Sequence, residues 1–136
     1  MLSLTRFDDP KLEAIIETMF LAAHADGDFG DEERAHFTRS VESLTDARLT
    51  GEPLRELVAR IEAHLAESSR DVRLATIKER LPAGKPREIA LSLAIRLMAA
   101  DGIMRTSERE LILEAADVLE IPRDVAADMV RDVGKA

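Results

Sequence analysis

An all-α fold is predicted by three observations: apolar residues recur at the helical period, strand-forming aromatics are nearly absent, and turn-forming residues are few. Of 136 residues 46% are hydrophobic, yet the only aromatics are four Phe, and there are six Gly and five Pro. No segment shows the strict apolar-polar alternation of a half-buried strand. The length and apolar share suit one domain, expected over 1–136, with a single core.

The elements follow in order. Over 12–23 the apolar positions 12, 15, 16, 19, 20 and 23 trace one helical stripe and leave Glu13 and Glu17 on a polar face. Gly27 marks a tight turn, after which Asp31 can cap a helix that turns Phe37, Val41 and Leu44 inward. Two linking helices are expected within about 51–82. The first, over 52–67, carries Leu54, Leu57, Val58, Ile61 and Leu65 from Pro53 to Ser68-Ser69. The second, over 71–81, carries Val72, Leu74, Ile77 and Leu81 and stops at Pro82-Ala83-Gly84. The next, over 88–100, is apolar on nearly all sides, broken by Ser92 and Arg96, as suits a central helix. A turn at Gly102 leads into a helix that Thr106 or Ser107 can cap, Ser107 and Glu110 having capping-box spacing. Ile121-Pro122 opens a last helix over about 122–133, turning Val125, Ala126, Met129 and Val130 inward, for about seven helices in all.

The chain also repeats at an offset of 75 residues: Ala25-Asp26-Gly27 falls on Ala100-Asp101-Gly102, and Glu33-Arg34 on Glu108-Arg109. Phe37, Val41 and Leu44 fall on Ile112, Ala116 and Leu119. Two helix-turn-helix copies, about 12–45 and about 87–120, are expected to share one core. Asp26, Gly27, Glu33, Asp101, Gly102 and Glu108 are the motif residues common to both.

Charge and composition exclude several functions. The net charge is −8, with 27 acidic against 19 basic residues, which argues against a nucleic-acid partner. Residues 1–68 hold 15 acids and 7 bases, and 69–136 hold 12 of each, so the excess belongs to the first half. Without cysteine there is no disulfide, thiolate zinc site or thiol nucleophile. The longest nearly apolar stretch, 89–100, is too short for a bilayer span, and residues 1–10 do not read as a signal peptide, so the cytoplasm is the expected compartment. No P-loop, dinucleotide fingerprint or nucleophile elbow occurs, and no catalytic or cofactor-binding residue is assigned.

The doubled Ala-Asp-Gly, each with a Glu six positions after the Gly, as AHADGDFGDEER and MAADGIMRTSER, resembles the TerB-like family of bacterial tellurite-resistance operons. The resemblance runs from about 12 to 130. It implies an all-helical fold of two related motifs with two central helices, a stress-response association and no established enzymatic reaction. Related domains occur in membrane-anchored DnaJ-like co-chaperones.

The acids at 26–33 admit two roles. Asp26, Asp28, Asp31, Glu32 and Glu33 are hard oxygen donors within eight residues, which could hold a divalent cation. They do not form an EF-hand: with Asp26 as position 1, position 6 is Asp31 rather than Gly and position 12 is Phe37 rather than Glu. Alternatively they fix the turn and serve the positive end of the next helix. His24 and His36 flank this turn without counterparts in the second copy and are read as structural or surface residues, as is His64. The basic residues of 70–87, including Arg73, Lys78, Arg80, Lys85 and Arg87, are read as solvated faces, some paired with acids. They could also dock an anionic partner, a lipid surface peripherally, or the acidic pole of a second copy. The expected function is a non-enzymatic binding or scaffold module in bacterial tellurite, oxyanion or envelope stress, meeting a protein partner through its acidic turn. A divalent-metal-binding protein using the same acids is the alternative.

Overall fold

The computed structural model describes residues 9–24, 30–44, 50–98 and 106–134. Among these the chain forms seven helices and no strand: α1 (Asp9–Ala23), α2 (Asp31–Leu44), α3 (Gly51–Glu67), α4 (Arg70–Arg80), α5 (Lys85–Met98), α6 (Thr106–Val118) and α7 (Arg123–Gly134). The fold is all-α, as the periodicity predicts. The turns at Gly27 and Gly102 lie outside the described residues.

Helices α1 and α5 pack along each other and form the centre; α4, α2 and α3 lie against α1, and α6 and α7 against α5. The all-round apolar sequence of α5 is accounted for by that position, with Ala90, Leu91, Leu93, Ala94, Ile95 and Met98 buried. Helix α1 is wrapped just as closely. From Ala14 to Ala22 every residue of it is buried, including Glu17 and Thr18, so the polar face expected at Glu17 does not exist. Phe20 of α1 meets Phe37 of α2 edge to face, with centroids 5.6 Å apart. Such a contact adds about 0.5–1.5 kcal/mol beyond its buried area.

Glu17 is buried with a partner. Arg73 of α4 donates from Nε to Oε2 at 2.7 Å and from Nη2 to Oε1 at 2.9 Å, a two-pronged pair of which neither side chain is more than 8% exposed. Glu17 holds the Arg73 guanidinium in its charged form, first by accepting these hydrogen bonds, against the opposing effect of burial. The solvated role expected for Arg73 is thereby corrected, and so is the face of α4. That helix buries Arg73, Leu74 and Ile77 and leaves Val72 51% exposed.

Arg87 is the second correction. It sits in the first turn of α5, only 8% exposed, and reaches the ends of two other helices. Its Nε donates to the Leu81 carbonyl at 2.9 Å, Nη2 to Lys78 O at 3.2 Å, and Nη1 to Leu119 O and to Glu120 Oε1, each at 3.2 Å. The last carbonyls of a helix lack intrahelical donors and carry partial negative charge, so one guanidinium satisfies the C-terminal ends of α4 and α6 together.

Local sequence sets the helix ends. Helix α5 starts three residues before the expected 88 because Gly84, at φ +95°, turns the chain and its carbonyl accepts the Glu88 N–H at 3.2 Å. Helix α6 closes with the Ile121 N–H on Ala116 O at 2.8 Å and the Glu120 N–H on Asp117 O at 3.2 Å. This is a Schellman motif whose left-handed position holds Glu120 at φ 59° instead of Gly. The Glu120 carboxylate stands 3.2 Å from Arg87 and 3.6 Å from Lys78, two cations that favour its placement there.

Candidate functional site

Of the acids singled out by sequence, Asp31, Glu32 and Glu33 form the first turn of α2 and all three are exposed. Asp26, Gly27, Asp28, Asp101 and Gly102 lie outside the described residues. Asp31 is the first helical residue, and Gly30, which has no side chain to cap with, stands before it, its carbonyl accepting the Arg34 N–H at 2.9 Å. Glu33 folds back towards that end: a Cβ built on Gly30 would stand 3.3 Å from Glu33 Oε2. Glu33 and Glu108 each take the third position of their helix, where a carboxylate meets the positive end of the peptide dipoles.

Arg34 reaches α3, donating to Glu62 from Nη1 at 2.9 Å and Nη2 at 3.0 Å, and also feels the charge of Asp31. Those hydrogen bonds hold the Glu62 carboxyl below its ordinary range, against the smaller opposing effect of burial, with the charges of Arg34 and His24 adding to them. His24 stacks on Phe20 at 5.8 Å. His64 is exposed in the last turn of α3, as expected. Among the described residues, no three His, Asp or Glu side chains are grouped so that they could hold a metal ion.

The basic stretch is largely used internally. Besides Arg73 and Arg87, Arg70 pairs with Glu114 of α6 at 2.6 Å and Lys78 with Glu120, leaving Arg80 and Lys85 exposed. No helix among the described residues is long and apolar enough to cross a membrane.

A second feature, not anticipated from sequence, is an open cleft of about 400 Å³ where α2 and α5 diverge over α1. Helix α2 sends Phe37 and Val41 into the core and presents His36, Arg39, Ser40 and Ser43, at i, i+3, i+4 and i+7, to the cleft. Met19 of α1 and Leu93 and Leu97 of α5 supply its apolar wall, and Arg96 faces it from α5. The Nε2 of His36 is buried and has no hydrogen-bond partner among the described residues.

No curated protein and no solved structure matches the chain. The family model of tellurite resistance protein TerB matches residues 12–131, from the first buried residue of α1 into the last turns of α7. That match spans all seven helices and agrees with the all-α arrangement around α1 and α5, and the chain belongs to the TerB family.

Proposed function

We propose that this chain is a non-catalytic binding module of the bacterial cytoplasm, acting in tellurite or envelope stress by recruiting a protein partner with a basic surface. The observation that carries this reading is the run of three exposed carboxylates, Asp31, Glu32 and Glu33, at the start of α2. The neighbouring Arg34 is shared with Glu62 of α3 and is outnumbered by the three acids, so that end keeps a net negative field suited to electrostatic capture. The family membership supports the stress setting.

The test is complementation of a host strain lacking the gene under tellurite challenge. The triple variant Asp31→Asn, Glu32→Gln, Glu33→Gln is expected to lose protection while its far-UV circular dichroism stays that of the wild type. Undiminished protection rejects the acidic surface as the working one. Calorimetric titration with calcium, zinc and manganese separates the alternative: heat that disappears in the triple variant makes the acids a divalent-cation site instead.

A further inference from the structure

We propose that the cleft between α2 and α5 binds a small amphiphilic anion, a carboxylate or phosphate monoester head carried on a short hydrocarbon body. Three observations converge on it. The first is charge. Most described arginines lie against a carboxylate, as Arg34, Arg60, Arg70 and Arg123 do. Arg39 and Arg96 line one cleft from opposite helices and meet no carboxylate among the described residues, in a chain with eight more acids than bases. Guanidinium forks left open on both sides of a groove match the oxygens of a carboxylate or phosphate, and the Ser40 and Ser43 hydroxyls add donors beside them.

The second observation is the imidazole. A buried polar nitrogen without a partner costs about 1–3 kcal/mol, and the fold retains one at His36 in the lining of this cleft. Turning the imidazole towards the cleft lets a ligand head group supply the missing partner.

The third comes from the two halves of the chain. An offset of 75 residues, forward or backward, carries Met19, His36, Ser40, Leu93 and Arg96 onto Ala94, Leu111, Ala115, Thr18 and Leu21. These five, together with Leu74, Leu91, Met98 and Ile112, line a space of only about 10 Å³. Where α6 meets the central helices, apolar residues and Thr18, whose hydroxyl is taken up by the Ala14 carbonyl, fill the space beneath α4. At the corresponding place beside α2 the same backbone positions carry His, Ser and Arg, and the space is open. With Met19, Leu93 and Leu97 as its apolar wall and about 400 Å³ of room, the cleft has the size of a small-molecule site and accepts a hydrocarbon as well as a charge.

The test is titration of the full chain, by calorimetry and by amide chemical shifts, with decanoate, decyl phosphate, decanol and inorganic phosphate, all at concentrations where the amphiphiles are monomeric. Saturable binding of decanoate or decyl phosphate is expected, with shifts centred on α2 and α5, and the stronger of the two identifies the head group. Decanol and inorganic phosphate are expected to bind at least tenfold more weakly. The double variant Arg39→Gln, Arg96→Gln, which alters exposed residues and leaves the core intact, is expected to weaken binding at least tenfold. His36→Leu with Ser40→Ala, which installs the residues found 75 positions later, is expected to weaken it as well. Absence of binding by both amphiphiles, an unchanged affinity in the arginine variant, or equal affinity for decanol or for inorganic phosphate overturns the proposal. The site stands apart from the acidic end of α2, so the triple carboxylate variant is expected to bind the amphiphile undiminished whatever it does to stress protection.

Discussion

Glu17 and Arg73 show how much one residue pair can hold in place. Each ion is withdrawn from water and offset only by the other, so removing one leaves an uncompensated buried charge. Arg73→Met is expected to destabilise the fold by about 3–5 kcal/mol. The double variant Glu17→Met, Arg73→Met should recover most of that loss, since an apolar pair of similar size carries no desolvation penalty. Urea unfolding with an unchanged slope is the measurement, and a double variant as unstable as the single would contradict this account. Gly84 is a second residue-scale test. At φ +95° a Cβ is strained although nothing stands within 4 Å of it, so Gly84→Ala should cost about 1–2 kcal/mol through the backbone alone. A thermal midpoint equal to that of the wild type would refute it.

At the scale of the element, Arg87 makes α4, α5 and α6 depend on one another. Arg87→Met strips donors from three carbonyls at two helix ends, and hydrogen bonds to a charged group contribute roughly 1.5–3 kcal/mol each, so a loss of at least that size is expected. Arg87→Lys should rescue little, because a single ammonium cannot reproduce the planar fork that spans both ends; a denaturant midpoint for the lysine variant equal to that of the wild type would reject this role. Periodicity and terminators made the helices legible: Pro53, Ser68-Ser69, Pro82 and Pro122 bracket them within a few residues. The faces were less legible, because a wheel separates apolar from polar positions but cannot say how many neighbours a helix has. Glu17 read as solvent-facing since α1 carries an apolar stripe, yet α4 covers that side too. In the 11 residues of α4, Leu74 and Ile77 hold the expected stripe, and Arg73 takes the inward place expected of Val72. The cleft left a trace of another kind, His36 and Ser40 standing where the offset copy has Leu111 and Ala115, which becomes a spatial statement only once α2 and α5 are seen to diverge.

For the whole molecule, interhelical ion pairs set the response to acid. Glu62 titrates below its ordinary range because Arg34 donates to it, and Asp117 does so because Arg123 donates to it. A carboxylate with a lowered folded-state pKa contributes stability that is fully present above its unfolded value and is lost as pH falls through the folded one. Stability should therefore decline on the acid side of the ordinary carboxylate range, and Glu62→Gln should flatten that decline while lowering stability at neutral pH. Denaturant midpoints taken from neutral pH into acid check the sign; a steeper decline in the variant would contradict it. The Arg87 contacts bear on the order of events as well. Two of its acceptors lie within nine residues, in the last turn of α4 and just after it, whereas Leu119 is 32 residues away at the end of α6. The guanidinium gains its full set only when both helix ends have arrived around α5, late in assembly. We therefore expect Arg87→Met to accelerate unfolding with little change in the folding rate, which chevron kinetics would report as a phi-value near zero. On that account Arg87 is a latch on the finished molecule, one that lengthens its lifetime without guiding the chain towards it.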